Sequence, residues 1–204
     1  LTDCLNFGNP EKPDVYYQLE WTIRGMARAC RVLGVPVVSG NVSLYNEYQD
    51  QPIFPTPIIG GLGLIDDASK YVSVPFPEEE LLVMLLGADA WSHQPYGLAG
   101  SEYLEICHNL VMGRPYIKLG LEKKVQELCR EAITRGLVRS AHDCSEGGLA
   151  TCLAECCVSG MSTRTSSTYN QNLESIGFRS NDGFDSLPLR WDVPLFGEHQ
   201  SRIV

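Results

Sequence analysis

Basic residues are in short supply: 16 Lys and Arg stand against 25 Asp and Glu, a formal net charge of −9 at pH 7. Proteins that grip phosphate backbones carry a basic patch, so nucleic acid is not an expected partner. Long apolar runs are also missing. The longest, Leu81 to Gly87, falls far short of the ~20 residues needed to span a bilayer, and no membrane association is expected. The eight cysteines, at positions 4, 30, 107, 129, 144, 152, 156 and 157, form no paired CxxC knuckle of zinc-site spacing. Most lie in apolar helical patterns and read as reduced core thiols of a cytoplasmic protein. No targeting segment precedes the first motif, there is no initiator Met, and the chain stops at Ser201-Arg202-Ile203-Val204 in what reads as the opening of a strand. An internal piece of a longer protein is expected.

What the chain does have is enough apolar residue, 44% of 204, to bury roughly 70% of its unfolded surface without staples. From Asp14 onward Leu19, Ile23, Met26, Ala27, Cys30 and Leu33 recur at helical spacing. Pro10 and Pro13 precede the helix, where missing donors do no harm, and Gly34 follows as a cap. Val35 to Ser39 reads as a strand ending in a turn at Gly40, and Thr56 to Ile65 as another whose Gly60, Gly61 and Gly63 suggest close backbone approach. Between Asp66 and Glu80 charge, proline and serine displace the apolar pattern, which marks a boundary. The expected organisation is 1–66 as one domain, 67–79 as linker and 80–204 as a second domain. That second domain opens with the strand Leu81 to Leu86. Helices follow at Ser101 to Met112, capped by Ser101, at Leu121 to Arg135, and at Gly148 to Val158, ending at Gly160. A strand near Leu137 to Ala141 precedes the last helix. Met161 to Ser186 shows neither period and reads as loop. The fold class is α/β or α+β.

Four stretches carry candidate chemistry. In Asp3-Cys4-Leu5-Asn6-Phe7-Gly8-Asn9-Pro10 an acid and two amides flank a glycine, oxygen donors of the kind magnesium-phosphate sites use. Turn and cap hydrogen bonds would use the same groups. In Ser39-Gly40-Asn41-Val42-Ser43 a glycine lets a backbone amide approach phosphate, and Asn and Ser can meet a metal or a polar substrate; Gly-Asn is equally a hairpin turn. His142-Asp143-Cys144-Ser145-Glu146-Gly147-Gly148 fits an anion or metal-nucleotide site at a helix N-terminus, with Ser145 as the competing cap. A Cys144–His142 nucleophilic pair lacks a positioning network and is not expected. In Phe196-Gly197-Glu198-His199-Gln200-Ser201-Arg202, His199 is given no catalytic role.

Taken in order, TDCLNFGNPEKP (2–13), VVSGNVSLYNE (37–47), PTPIIGGLGLIDD (55–67), GSEYL (100–104), AHDCSEGGLA (141–150) and LFGEHQSRIV (195–204) resemble the synthetase portion of the phosphoribosylformylglycinamidine synthases. That group belongs to the superfamily of aminoimidazole ribonucleotide synthetase. Residues 161–192 fall outside the resemblance. It implies that residues 1 to about 66 are the later part of a second N-type ATP-binding domain and about 80 to 204 most of a second C-type domain, truncated at its C-terminus. The first half and any glutaminase lie elsewhere. It further implies that Asp3 and Gly40 contact ATP, that Asn41 is a Mg2+ ligand, and that Ser43 contacts the substrate, formylglycinamide ribonucleotide. Asp143 and Glu198-His199-Gln200 then belong to an auxiliary nucleotide site, where Glu-Ser-Gln is the usual triplet and His199 a departure. Selenophosphate synthetase, a hydrogenase-maturation protein and a non-catalytic nucleotide-binding domain are the alternatives; LNFGNP followed by GNVSLYNE favours the purine enzyme.

Overall fold

The structure is a computed structural model that describes residues 1–77, 81–87, 95–164 and 190–204. These form two compact units, Leu1–Asp66 and Asp67–Val204, in a mixed α/β fold.

In the first unit β1 (Thr2–Asn6) leads through α1 (Pro13–Leu33) to β2 (Ser39–Ser43), then to the short β3 (Glu47–Tyr48) and β4 (Gln51–Pro52), and back to β5 (Thr56–Gly60). The main sheet runs β2-β1-β5, with β2 parallel and β5 antiparallel to β1. Helix α1 starts where the prolines allow, with Pro13 in its first turn and Asp14 beside it, and ends at Gly34. There φ is 75° and the amide donates to the Cys30 carbonyl at 2.8 Å, a left-handed cap that glycine adopts without strain. Its buried edge carries Val15, Leu19 and Met26 onto Leu5, Phe7 and Leu44. The β3–β4 hairpin turns through Gln49 and Asp50, both at positive φ. Two successive left-handed residues match the right-handed twist of a tight hairpin.

The strand boundaries differ from the sequence reading. The run 35–38 lies outside β2, because β1 begins at Thr2 and its partner there is Ser39; the valines only lead in, and Val38 is 78% exposed. Gly40-Asn41 is therefore no hairpin turn but the middle of a parallel strand. At the other edge β5 stops at Gly60, opposite Thr2, and Leu62 and Leu64 beyond it are exposed. A Cβ at Gly60 would sit 3.0 Å from the Thr2 methyl, whereas Gly63 faces open space.

The regular elements described in the second unit are helical: a 3₁₀ turn at Pro95–Leu98, then α2 (Glu102–His108), α3 (Leu119–Thr134), α4 (Gly148–Arg164) and α5 (Asp192–Phe196). The expected strands at 81–86 and 137–141 reduce to single bridges. Leu86 pairs with Ile203, Asp143 pairs with the same Ile203 from the other side, and Ser140 pairs with Ser73. Residues 202–204 thus lie between 86 and 142–144, with Leu86, His142 and Cys144 all exchanging or donating backbone bonds to them. The stretch 67–79, read as linker, is fastened to this unit as far as it is described: Ala141 N–H donates to the Ser73 carbonyl, Phe76 N–H to the Cys156 carbonyl. Phe76, Val83, Leu85 and Val204 pack on a core of Cys144, Leu149, Cys152 and Leu153.

Ser101 caps α2, its hydroxyl accepting from Leu104 N–H at 3.3 Å and donating to the Leu98 carbonyl at 2.7 Å. That helix ends at Asn109 in the left-handed region, short of Met112. Helix α4 continues through Gly160, whose helical cost of about 1 kcal/mol does not break it, and is described as far as Arg164; the remainder of the expected 161–186 loop lies outside the described residues.

Val15 is 1% exposed at the contact between α1 and β1. Val15→Ala should lower the unfolding free energy of the 204-residue chain by about 2 kcal/mol through lost transfer energy and a residual cavity, measured by urea titration.

Candidate functional site

The pleat of the first sheet distributes the sequence candidates. Asp3 pairs with Gly40, Cys4 with Asn41 and Asn6 with Ser43, and successive residues of a strand point to opposite faces. Asp3 and Gly40 therefore share the face of Leu5, which packs under α1. A Cβ on Gly40 would collide with the Asp3 carboxylate, so glycine is what lets the carboxylate lie across β2. On the other face Asn41 Nδ2 donates to Ser43 Oγ at 3.1 Å and lies 3.9 Å from Cys4 Sγ. Asn6 Nδ2 donates to the Thr56 carbonyl at 3.2 Å, and Thr2 and Ser39 hydroxyls meet at 3.2 Å. This face is a polar row of hydroxyl, amide and thiol groups, with Asn41 exposed and Ser43 half-buried. Asp3 and Asn41 are adjacent in the ladder but on opposite faces.

Asn9 follows its turn-forming alternative: its Oδ1 accepts from Glu11 N–H at 2.8 Å. Glu47 ties the hairpin to this turn, accepting from Lys12 Nζ at 2.7 Å and Asn9 N–H at 3.3 Å, and the bond from Lys12 holds its carboxyl below the usual range.

No group of three or more His, Cys, Asp or Glu able to hold a metal is present among the described residues. The donor set suits a hard cation only as a shared ligand. Asn41 commits its amide nitrogen to Ser43 and leaves its oxygen, the kind of donor that joins water and substrate phosphates around magnesium.

In the second unit a cavity of about 500 Å³ is lined by Glu122, Asp143, Ser145, Glu198, Gln200 and Arg202, among others. Residues 143–146 line it just before two successive glycines, Gly147 and Gly148, take φ of 76° and 71° and turn the chain sharply into α4. Ser145 is not a side-chain cap of α4: its hydroxyl donates to Asp143 Oδ2 at 2.5 Å, and this bond holds the Asp143 carboxyl below its ordinary value, with His142 adding to it against desolvation. His142 contacts Glu155 Oε2 at 2.7 Å and Asp143 Oδ1 at 3.5 Å.

The triplet 198–200 divides its labour. Glu198 Oε1 accepts from Glu102 N–H at 2.9 Å and Gly147 N–H at 2.8 Å, joining the starts of α2 and α4. His199 is buried, edge-on to Tyr96 at 5.4 Å, and its ring occupies the space a Cβ on Gly97 would need. Gln200 is exposed at the cavity. Sequence reasoning did not single out Glu122, whose Oε2 accepts from Ser201 Oγ at 2.6 Å, or Arg202, which is 2% exposed and donates to the Pro194 and Gly197 carbonyls. Neither carries a local signal, since both act on residues distant in the chain or on backbone. With four carboxylates, including Glu146, around it, the cavity repels a bare phosphate and would accept one only together with a cation.

Residues 1–65 match the family described as AIR synthase related protein, N-terminal domain, and residues 81–177 its C-terminal domain. The chain is 50% identical over 205 aligned positions to a phosphoribosylformylglycinamidine synthase subunit PurL of Synechococcus sp. (strain JA-3-3Ab), covering 100% of this chain and 24% of that protein. It is 47% identical to the subunit of the same name from Thermomicrobium roseum, covering 100% and 25%. This chain spans about a quarter of the length of these relatives. Among solved structures, T. maritima PurL complexed with ATP is 46% identical over 28% of this chain and 9% of its own, with a TM-score of 0.25, an overlap too short to bear on the fold.

Replacing Glu198 separates its acceptor role from its charge. Glu198→Ala should destabilise the second unit by about 1–3 kcal/mol, because two helix-start amides lose their acceptor. Glu198→Gln, which keeps a carbonyl oxygen, should recover most of that loss. Thermal melts of both variants measure the difference.

Proposed function

This chain belongs to the AIR synthase related protein family, and we propose that it is part of a phosphoribosylformylglycinamidine synthase, an ATP-dependent carbon–nitrogen ligase of purine biosynthesis. The reaction converts formylglycinamide ribonucleotide, ATP and glutamine-derived ammonia to formylglycinamidine ribonucleotide. The observation that carries this reading is the near-half identity over the whole chain to subunits of that name. Selenophosphate synthetase and hydrogenase-maturation readings have no comparable support.

In this reading ATP phosphorylates the formamide oxygen, and ammonia then displaces the phosphate to leave the amidine. The first unit contributes placement and electrostatics more than a nucleophile. Asp3 and Gly40, paired in the ladder with the carboxylate lying where a Cβ at 40 would stand, serve the nucleotide. Asn41 serves Mg2+ through its amide oxygen, and Ser43 serves the ribonucleotide through its hydroxyl. When bound with the nucleotide, the cation would neutralise charge on the transferring phosphoryl group. The remaining ligands and the catalytic histidine come from the first half of the enzyme, and ammonia from a glutaminase domain or subunit. The acidic cavity of the second unit serves an auxiliary, metal-linked nucleotide. A cytoplasmic location accords with this reaction, and no helix among the described residues is long and apolar enough to cross a membrane.

Residues 1–204 by themselves should show no amidine synthesis from formylglycinamide ribonucleotide, ATP and ammonia. In the longer protein that carries them, Asp3→Asn and Asn41→Ala should each reduce turnover on the order of 10²-fold, the scale for losing one preorganised electrostatic contact, with the melting temperature held. Near-normal rates in both variants would leave these residues only structural roles. Nucleotide binding without turnover in the unsubstituted protein would favour a non-catalytic nucleotide-binding domain instead.

A further inference from the structure

We propose that Asn46 is the positioning residue for the substrate contact at Ser43, its side-chain amide locking the exit of β2 onto the exit of β1. The inference rests on the functional reading above, which gives the ribonucleotide to Ser43 and the metal to Asn41. In the described sheet β2 has β1 as its one neighbour, and their ladder runs out where Ser43 lies opposite Asn6. The last residue of such an edge strand frays unless something beyond the ladder holds it.

Asn46 supplies that hold. Its Nδ2 donates to the Ser43 carbonyl at 2.9 Å and to the Phe7 carbonyl at 3.2 Å. Both partners are acceptors only, so the amide must present its nitrogen to them. Each carbonyl also accepts from the backbone: Phe7 N–H donates to Ser43 at 3.0 Å, and Asn46 N–H to Phe7 at 3.1 Å. The pairing of the two strands thus continues one step past the ladder, with a side chain bonded to both.

The amide reaches back because the chain turns sharply at Tyr45, where φ is 59°. A residue with a Cβ enters that left-handed region at a cost in free energy. Tyr45 N–H donates to the Gly8 carbonyl at 2.9 Å and Ile53 N–H to the Asn46 carbonyl at 3.1 Å, which hold the turn from both sides. Strain kept in place by its surroundings points to geometry that matters at that site. Two groups depend on it here. The backbone at 43 places the Ser43 hydroxyl, and that hydroxyl accepts from Asn41 Nδ2 at 3.1 Å, so the orientation of the Asn41 amide follows from it. A shift of about 1 Å at such a contact is enough to weaken binding or rate.

Truncating Asn46 orphans neither carbonyl, because each keeps its backbone donor. The fold should therefore hold while the placement of Ser43 loosens. Asp3 and Gly40 pair earlier in the ladder, away from this clamp, and contacts made by them should persist.

The test is steady-state kinetics with formylglycinamide ribonucleotide, ATP and ammonia on the longer protein that carries this chain. Asn46→Ala should raise KM for the ribonucleotide about tenfold, the scale of one lost hydrogen bond, with KM for ATP and the melting temperature held. Asn46→Asp keeps the shape but loses the donor, and should do at least as much harm. In a Ser43→Ala background Asn46→Ala should raise KM for the ribonucleotide no further, since both act through one contact. An ordinary KM in Asn46→Ala beside a raised one in Ser43→Ala would overturn the proposal and leave the functional reading standing. Equal rises for ATP and the ribonucleotide, effects that add in the double variant, or a normal KM in Asn46→Asp would also overturn it. An unchanged KM in Ser43→Ala, or no turnover in the unsubstituted protein, would remove the functional reading and the proposal together.

Discussion

A five-residue strand sets the terms for the first unit. The main sheet and its helix are registered against β1: β2 begins where Thr2 finds Ser39, β5 ends where Thr2 finds Gly60, and α1 closes over Leu5 and Phe7. Because only ladder partners count as sheet, apolar runs that overshoot β1 are left exposed, as Val38, Leu62 and Leu64 show. The same ladder brings residues almost forty positions apart side by side. Asp3 can lie across Gly40 only because that position has no Cβ, a constraint on the pair and not on either residue.

The second unit relies on one return segment. Residues 197–204 supply the carboxylate that joins the starts of α2 and α4, a buried imidazole, a buried guanidinium, and the backbone that bridges 86 to 142–144. Removing a buried polar group here leaves its partners unsatisfied, which costs more than the bond itself contributed. The cavity beside this segment is consequently built from groups already engaged. Glu198 and Glu122 hold other residues in place, and Asp143 is held by Ser145. An acidic wall of this kind discriminates by charge: a phosphate alone is repelled, and a phosphate carried by a divalent cation is not.

Both units offer oxygen donors, amides and glycine-lined backbone, the equipment of phosphoryl transfer, where the protein positions and neutralises more than it reacts. In the first unit that equipment is split between two faces of one sheet, Asp3 and Gly40 on one and Asn41 and Ser43 on the other.

Much of this was legible in the amino-acid order because it rests on local rules. Helix α1, with prolines ahead of it and Gly34 behind, follows from spacing and capping; so does Ser101 at the start of α2. The ordered motifs brought Asp3, Gly40, Asn41 and Ser43 together as candidates, and residues 1–65 and 81–177 do match the two family domains. What the sequence could not reveal depends on partners far along the chain. Strand ends at Ser39 and Gly60 are decided by the length of β1, not by where apolar residues stop. The assignment of Asp3 and Asn41 to opposite faces needs the register as well as the residues. Arg202 and Glu122 have no local signature, because burial and charge pairing become properties of a residue only once tertiary packing has chosen its neighbours.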